Sequence, residues 1–164
     1  MPQIHVSGRL GDHDPTTALR QVVDYERWAD ASEAVRSVHV EHRDDGSSIS
    51  FWEVTFRKGL MRWSERDGFD AAAGFATFDL IEGDPHVFKG SWRVATEGSE
   101  CVLIMEAEFD LGMPSLSHIL DPIAIEAVED AVASVLRGLF GEDTRIEYAG
   151  AAAAATRVTQ GGIG

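Results

Sequence analysis

The sequence predicts an α+β domain in which a curved antiparallel sheet of about seven strands wraps around one long C-terminal helix, with two short helices after the first strand. Three observations predict it. Residues 3–10 and 36–111 alternate apolar and polar side chains with the period of two that belongs to half-buried strands. Residues 116–140 recur at helical spacing instead, and no other segment is long enough to cover their apolar side except a sheet. Between residues 11 and 35 the pattern is helical but short. A long helix gripped by a bent sheet leaves space between the two layers, and that space is the functional feature the chain offers.

The elements follow in order. Ile4, Val6, Gly8 and Leu10 alternate with His5, Ser7 and Arg9 as a first strand. Asp14-Pro15 supplies a cap followed by proline at the first helical position, with Ala18, Leu19, Val22 and Val23 at helical spacing. Tyr25 to Ala34 continues as a second short helix. From Val38 the period becomes two: Trp52, Val54 and Phe56 share one face, and Glu53, Thr55 and Arg57 share the other. Lys58-Gly59 is a hairpin signal, and Gly83-Asp84-Pro85 and Glu97-Gly98-Ser99 punctuate the strands Phe75 to Ile81, His86 to Ala95 and Cys101 to Leu111. In the terminal helix a first turn from Ser115 bends at Asp121-Pro122. Glu126, Glu129, Ala133 and Arg137 then form its outer face, and Leu120, Ala124, Ala127, Val128, Ala131, Val135 and Leu139 its inner one. Residues 1–144 read as one domain and residues 145–164 as a disordered Ala/Gly-rich tail.

Composition excludes several functions. The 164 residues carry 14 basic against 28 acidic side chains, a net charge of −14, which argues against binding a phosphate backbone. No apolar run approaches the ~20 residues that span a bilayer, and the amino terminus has no signal-peptide layout, so a soluble, cytoplasmic protein is expected. The single cysteine, Cys101, rules out an internal disulfide, and no Cys/His spacing resembles a zinc site. Asp12-His13-Asp14 and Glu41-His42-Arg43-Asp44-Asp45 adjoin turns and do not converge on one ion. Nucleophile elbows and phosphate-binding glycine loops are missing from the sequence, so covalent hydrolysis and nucleotide chemistry have no support.

What remains is an apolar cavity. Trp28, Trp52, Trp63 and Trp92, with Phe78, Phe88, Met105 and Phe109, are enough large side chains to line one, although aromatics pack the core of any fold. His86 shares parity with Phe88 and Trp92 and can serve as an acid or base near neutral pH if it reaches the pocket; a loop-edge histidine in water is the competing assignment. Ser134, on the buried side of the terminal helix, can tip a hydroxyl inward.

The order of elements, with Tyr25-Glu26-Arg27-Trp28, Trp63-Ser64-Glu65-Arg66, Gly90-Ser91-Trp92-Arg93-Val94 and Glu106-Ala107-Glu108-Phe109, resembles the START-like, or Bet v 1-like, helix-grip superfamily over residues 3–140. Within it the chain is similar to the polyketide cyclase/dehydrase group. The resemblance implies a hydrophobic or polycyclic ligand in the cavity and no metal or organic cofactor. In the aromatase/cyclase members it implies regiospecific aldol closure and dehydration of a poly-β-ketone held on an acyl carrier protein. Those members carry an arginine with a serine two positions before it on a pocket-lining strand, which implies Arg66 as a fixed cation for enolate charge and Ser64 as its helper. A tyrosine that some of them have after the second short helix falls at Val35, a departure that weakens the enzyme reading.

The register of one hairpin decides the matter. A tight turn at Lys58-Gly59 pairs Val54 with Trp63 and Phe56 with Met61, which puts Arg62, Ser64 and Arg66 on the opposite face. The inward Arg66 implied by the resemblance needs a longer turn or a bulge, and that inward placement, with Arg66 and Ser64 as the catalytic pair, is the expectation adopted. Two functions are carried forward: a polyketide aromatase/cyclase, and a carrier that binds a lipid, quinone or polycyclic product unchanged. An acidic carrier protein as partner needs a local basic patch, for which Arg57, Lys58, Arg62, Arg36 and Arg43 are the candidates, and a homodimer is left open.

Overall fold

The computed structural model describes residues 3–56 and 58–148. Its elements run β1 (Gln3–Gly11), α1 (Pro15–Val22), a 3-10 turn (Tyr25–Arg27), α2 (Trp28–Ala31), β2 (Val35–His42), β3 (Ser48–Phe56), β4 (Gly59–Asp70), β5 (Phe75–Gly83), β6 (Val87–Glu97), β7 (Glu100–Asp110), α3 (Ser117–Phe140) and β8 (Arg145–Tyr148). The strands form one open antiparallel sheet in the order β2-β3-β4-β5-β6-β7-β1-β8, with α3 packed on its concave face. Hairpins connect β2 through β7 in sequence, whereas β1 and β8 arrive from elsewhere, β1 pairing with β7 through Val6↔Met105 and its neighbours and β8 with β1.

Local chemistry explains the helices. Asp14 caps α1, accepting from the Thr17 backbone N–H at 2.9 Å and from Thr17 Oγ1 at 2.8 Å, with Pro15 in the first turn. The second short helix is briefer than its pattern suggests: a 3-10 turn runs into four α-helical residues and stops at Ser32, whose backbone is extended. The Ser32 hydroxyl bonds that of Ser134 and so ties the end of α2 to α3.

Three expectations are corrected. The sheet has eight strands, because β8 folds back beside β1 from Val6↔Tyr148 to Arg9↔Arg145, within the segment expected to be tail. Ile146 supplies the reason, being only 7% exposed, and Arg9 and Arg145 clamp the strand through Glu147 and Glu100. The rest of that segment, residues 149–164, lies outside the described residues. α3 is one continuous helix from Ser117 with Pro122 inside it. Glu129 and Ala133, read as its outer face, are only 7% and 2% exposed, since α1 and α2 flank the helix as well as the sheet.

The backbones of β6 and β7 approach closely at Gly90. A Cβ there would stand 2.1 Å from the Glu106 carbonyl oxygen and 2.7 Å from Ala107 Cα. Both obstacles are backbone, so no side-chain rotation relieves them. Gly90→Ala is expected to lower unfolding free energy by about 1–3 kcal/mol in chemical denaturation; an unchanged midpoint would mean that β6 and β7 separate at no cost.

Candidate functional site

The space between sheet and helix is walled by aromatic rings that the strand pairings bring together. Trp52 and Trp63 sit directly opposite each other on β3 and β4 and stack with centroids 5.5 Å apart and planes 3° from parallel. Trp28 meets the edge of Trp52 at 5.1 Å, and Tyr25 meets it at 5.2 Å. From the other side Phe88 abuts Trp63 at 5.4 Å and Phe78 at 5.3 Å. α3 closes the cavity with small side chains only, Ala127, Val128, Ala131 and Val132, while Val35, Val54, Thr55, Phe56, Met61, Trp92 and Met105 complete it. About 580 Å³ is free of atoms when the mouth is counted, but only about 50 Å³ can hold the centre of a water molecule. That is room for a few waters at most, against a wall with almost no polar surface to bind them.

One carboxyl interrupts this wall. Glu65 lines the cavity and is 3% exposed, and Asp67, two residues on along the same face of β4, is 7% exposed. Trp63 Nε1–H donates to Glu65 Oε1 at 2.8 Å. Ser50 Oγ–H donates to Asp67 Oδ2 at 2.5 Å and itself accepts from Trp52 Nε1–H at 2.8 Å, whereas Asp67 Oδ1 is buried without a hydrogen-bond partner. Burial pushes the Glu65 carboxyl well above the usual range, and Asp67 beside it pushes the same way against the Trp63 hydrogen bond. Burial also raises Asp67, opposed by its bonds to Glu65 and Ser50. Two carboxyls in contact, with no cation among the described residues of the cavity wall, resist ionising together, and Glu65, the deeper of the two, is pushed up the further. The phenol of Tyr25 is raised well above its ordinary value by burial and then by Glu65 and Asp67.

The residues expected from sequence divide in two. Trp28, Val35, Trp52, Trp63, Phe78, Phe88, Trp92 and Met105 line the cavity. Phe109 is fully buried one layer back, behind Phe88 at 5.6 Å. Ser134 is spent on Ser32 and the Ala131 carbonyl, and His86 is exposed on the β5–β6 loop, packed near Gly112. Arg66 and Ser64 do not reach the cavity. β3 and β4 pair without interruption from Phe56↔Gly59 to Ser48↔Asp67, so Met61, Trp63, Glu65 and Asp67 point inward and Ser64 and Arg66 outward. A bulge does occur nearby, but its extra residue, Ile81, is on β5 and leaves the alternation of β4 intact. Arg66 is exposed on the convex face, between Ile49 and Asp79. Glu65 and Asp67 were missed although parity held the signal: any even register for the hairpin places both acids among Trp52, Val54 and Trp63.

The family model described as polyketide cyclase/dehydrase and lipid transport matches residues 12–136. The sequence has no match among curated proteins. Among solved structures, the protein TTHA0849 from Thermus thermophilus superposes with a TM-score of 0.75 at 22% identity, covering 84% of this chain and 94% of that one. A START superfamily protein from Mycobacterium smegmatis gives 0.67 at 14% identity, over 84% and 97%. The Zhui aromatase/cyclase from Streptomyces sp. R1128 gives 0.57 at 15% identity, over 83% and 96%. At these identities the likeness is one of fold.

The Glu65 assignment has a pH signature. A carboxyl whose folded-state pKa lies above its unfolded value near 4.5 contributes fully below that value, and its contribution is lost as pH rises through the folded pKa. Glu65→Gln, neutral at every pH, should therefore gain on the wild type as pH is raised from 4.5 in paired thermal melts. A difference in Tm that stays constant with pH would show that Glu65 titrates as an exposed carboxyl does.

Proposed function

Because the chain belongs to the polyketide cyclase/dehydrase and lipid transport family, we propose that it binds a hydrophobic, ring-bearing small molecule between the sheet and α3. The observation that carries this reading is the wall itself, four tryptophans and three phenylalanines around a helix face made of alanine and valine. Flat polarisable rings favour flat apolar guests, and the small residues on α3 leave the guest its thickness. Entry requires widening, since drug-sized guests occupy sites of about 300–1,000 Å³. Met61 and Met105 are the adaptable wall residues, and Phe56, half-buried beside the β3–β4 turn, stands at the mouth.

Binding takes precedence over cyclisation because the cation meant to stabilise an enolate lies on the convex face. A cyclase or dehydrase activity on a carbonyl-rich chain is the second reading, favoured by the protonated acid at Glu65, which supplies a proton donor where Arg66 does not. A free ligand needs no basic docking patch, whereas one tethered to an acidic carrier protein does: near the β3–β4 turn Arg62 is already paired with Glu53 at 2.6 Å and Arg57 falls outside the described residues, which leaves Lys58 exposed there. A cytoplasmic setting suits such a free ligand.

The neutral dye N-phenyl-1-naphthylamine should bind one per chain with blue-shifted, enhanced fluorescence. Ala131→Trp, which fills the cavity from α3, should weaken it at least tenfold with the far-ultraviolet circular dichroism unchanged, and Met105→Ala, which enlarges the cavity, should tighten it several-fold. Equal affinity in all three proteins would place the dye, and the proposed site, elsewhere.

A further inference from the structure

Resting on that ligand reading, we propose that Glu65 and Asp67 form a proton-sharing pair that selects ligands with a neutral carbonyl oxygen and rejects carboxylates. The geometry of a single strand supplies the reasons. Glu65 is the one carboxyl on an apolar wall, and its Oε1 is held by Trp63 Nε1–H, so its orientation is set before any ligand arrives. As a carboxylic acid it offers the cavity one O–H donor, which a ketone or quinone oxygen can accept. A fatty-acid carboxylate would bring a further negative charge beside Asp67 with no cation to offset it. Lipids with a free acid head are therefore excluded, although the family model includes lipid transport.

Asp67 gives the pair its link to water. It borders both the interior and an open cleft formed by Arg20, Val23 and Tyr25 against Val40, Ser48 and Phe69, and its unpartnered Oδ1 is free to accept a proton. The groups facing Glu65 are few. Asp67 comes from its own strand and Tyr25 from the 3-10 turn, whereas α3 presents Ala127, Val128, Ala131 and Val132, and β5 to β7 present Phe78, Phe88, Trp92 and Met105. Loss of the Glu65 proton is thus felt through Asp67 and Tyr25 alone among these neighbours, and it removes the carboxylic-acid donor that the carbonyl accepts from.

Three guests of one shape test this: 2-acetonaphthone, a ketone; 2-ethylnaphthalene, without a polar atom; and 2-naphthoate, an anion. Each is competed against N-phenyl-1-naphthylamine on the full chain. The ketone should bind about tenfold more tightly than the hydrocarbon, the equivalent of one hydrogen bond, and the naphthoate more weakly than either. Glu65→Leu should erase the ketone's advantage, while Glu65→Gln, whose amide still donates, should keep part of it and lose its pH dependence. In the wild type the advantage should fall as pH rises, and Asp67→Asn, by removing the neighbouring charge, should move that fall to lower pH. An infrared carbonyl band of a protonated acid at neutral pH, absent in Glu65→Gln, reports the proton directly. Dye and hydrocarbon binding with the ketone's advantage intact in Glu65→Leu, or naphthoate as the tightest guest, overturns the pair. Failure of the dye itself to bind overturns the ligand reading instead.

Discussion

Everything specific to this cavity depends on the register of the β3–β4 hairpin. A strand cannot turn one side chain without turning all of them, so the two-residue link from Phe56 to Gly59 commits β4 over its full length. It sets Trp63 against Trp52, which builds the stacked wall, and in the same stroke carries Glu65 and Asp67 inside and Arg66 outside. A one-residue slip would keep the fold and invert the chemistry, replacing a buried acid pair by a buried cation. The uninterrupted pairing from Gly59 to Asp67 is what prevents it.

The acids have a cost that the surrounding structure is arranged to limit. A carboxyl taken from water into an apolar interior is disfavoured unless it is neutral or hydrogen-bonded. Here both remedies are used. Indole N–H groups of the wall tryptophans are directed at the acids, Trp63 to Glu65 directly and Trp52 to Asp67 through Ser50, so the rings that shape the apolar wall also satisfy the polar atoms behind it. What is left over, Asp67 Oδ1, is the one described buried side-chain oxygen or nitrogen without a partner. Where an otherwise well-satisfied interior keeps one unpaired acceptor next to a protonated acid, local stability has been given up at a place where chemistry can use it.

The fold was legible because its signals were long. Period-two alternation over seventy residues and one apolar helix dictate a sheet and its cover, and the wall aromatics followed from strand parity. β8 was not legible, since Arg145-Ile146-Glu147-Tyr148 is four residues with one fully buried side chain, too short for a period to stand out. The outer face of α3 was misread at Glu129 and Ala133 because an amphipathic pattern assumes one covered side, and α1 and α2 cover a second. At the site, the resemblance and the register arithmetic disagreed about Arg66. The arithmetic was two residues off in its pairings, Val54 with Trp63 instead of Met61, yet an error of two preserves the face, and the arithmetic had the side right.

Which chemistry the cavity can perform follows from what β4 turns inward. Enolate charge needs a fixed positive partner, and the described residues of the cavity wall include none; its two ionisable groups are the acid at Glu65 and the phenol of Tyr25, whose burial favours the neutral form of each. Neutral donors stabilise a carbonyl by hydrogen bonding and can pass a proton to it, but they do not hold a full anion through a multistep ring closure. The interior is therefore matched to uncharged, carbonyl-bearing guests whose charge changes little while bound. The chain's formal net charge of −14 points the same way, since an acidic protein repels anionic ligands and acidic partners. Selection against negative charge thus operates twice, at long range by the surface and at contact by Glu65 with Asp67, and the aromatic wall is left to choose among the neutral molecules that remain.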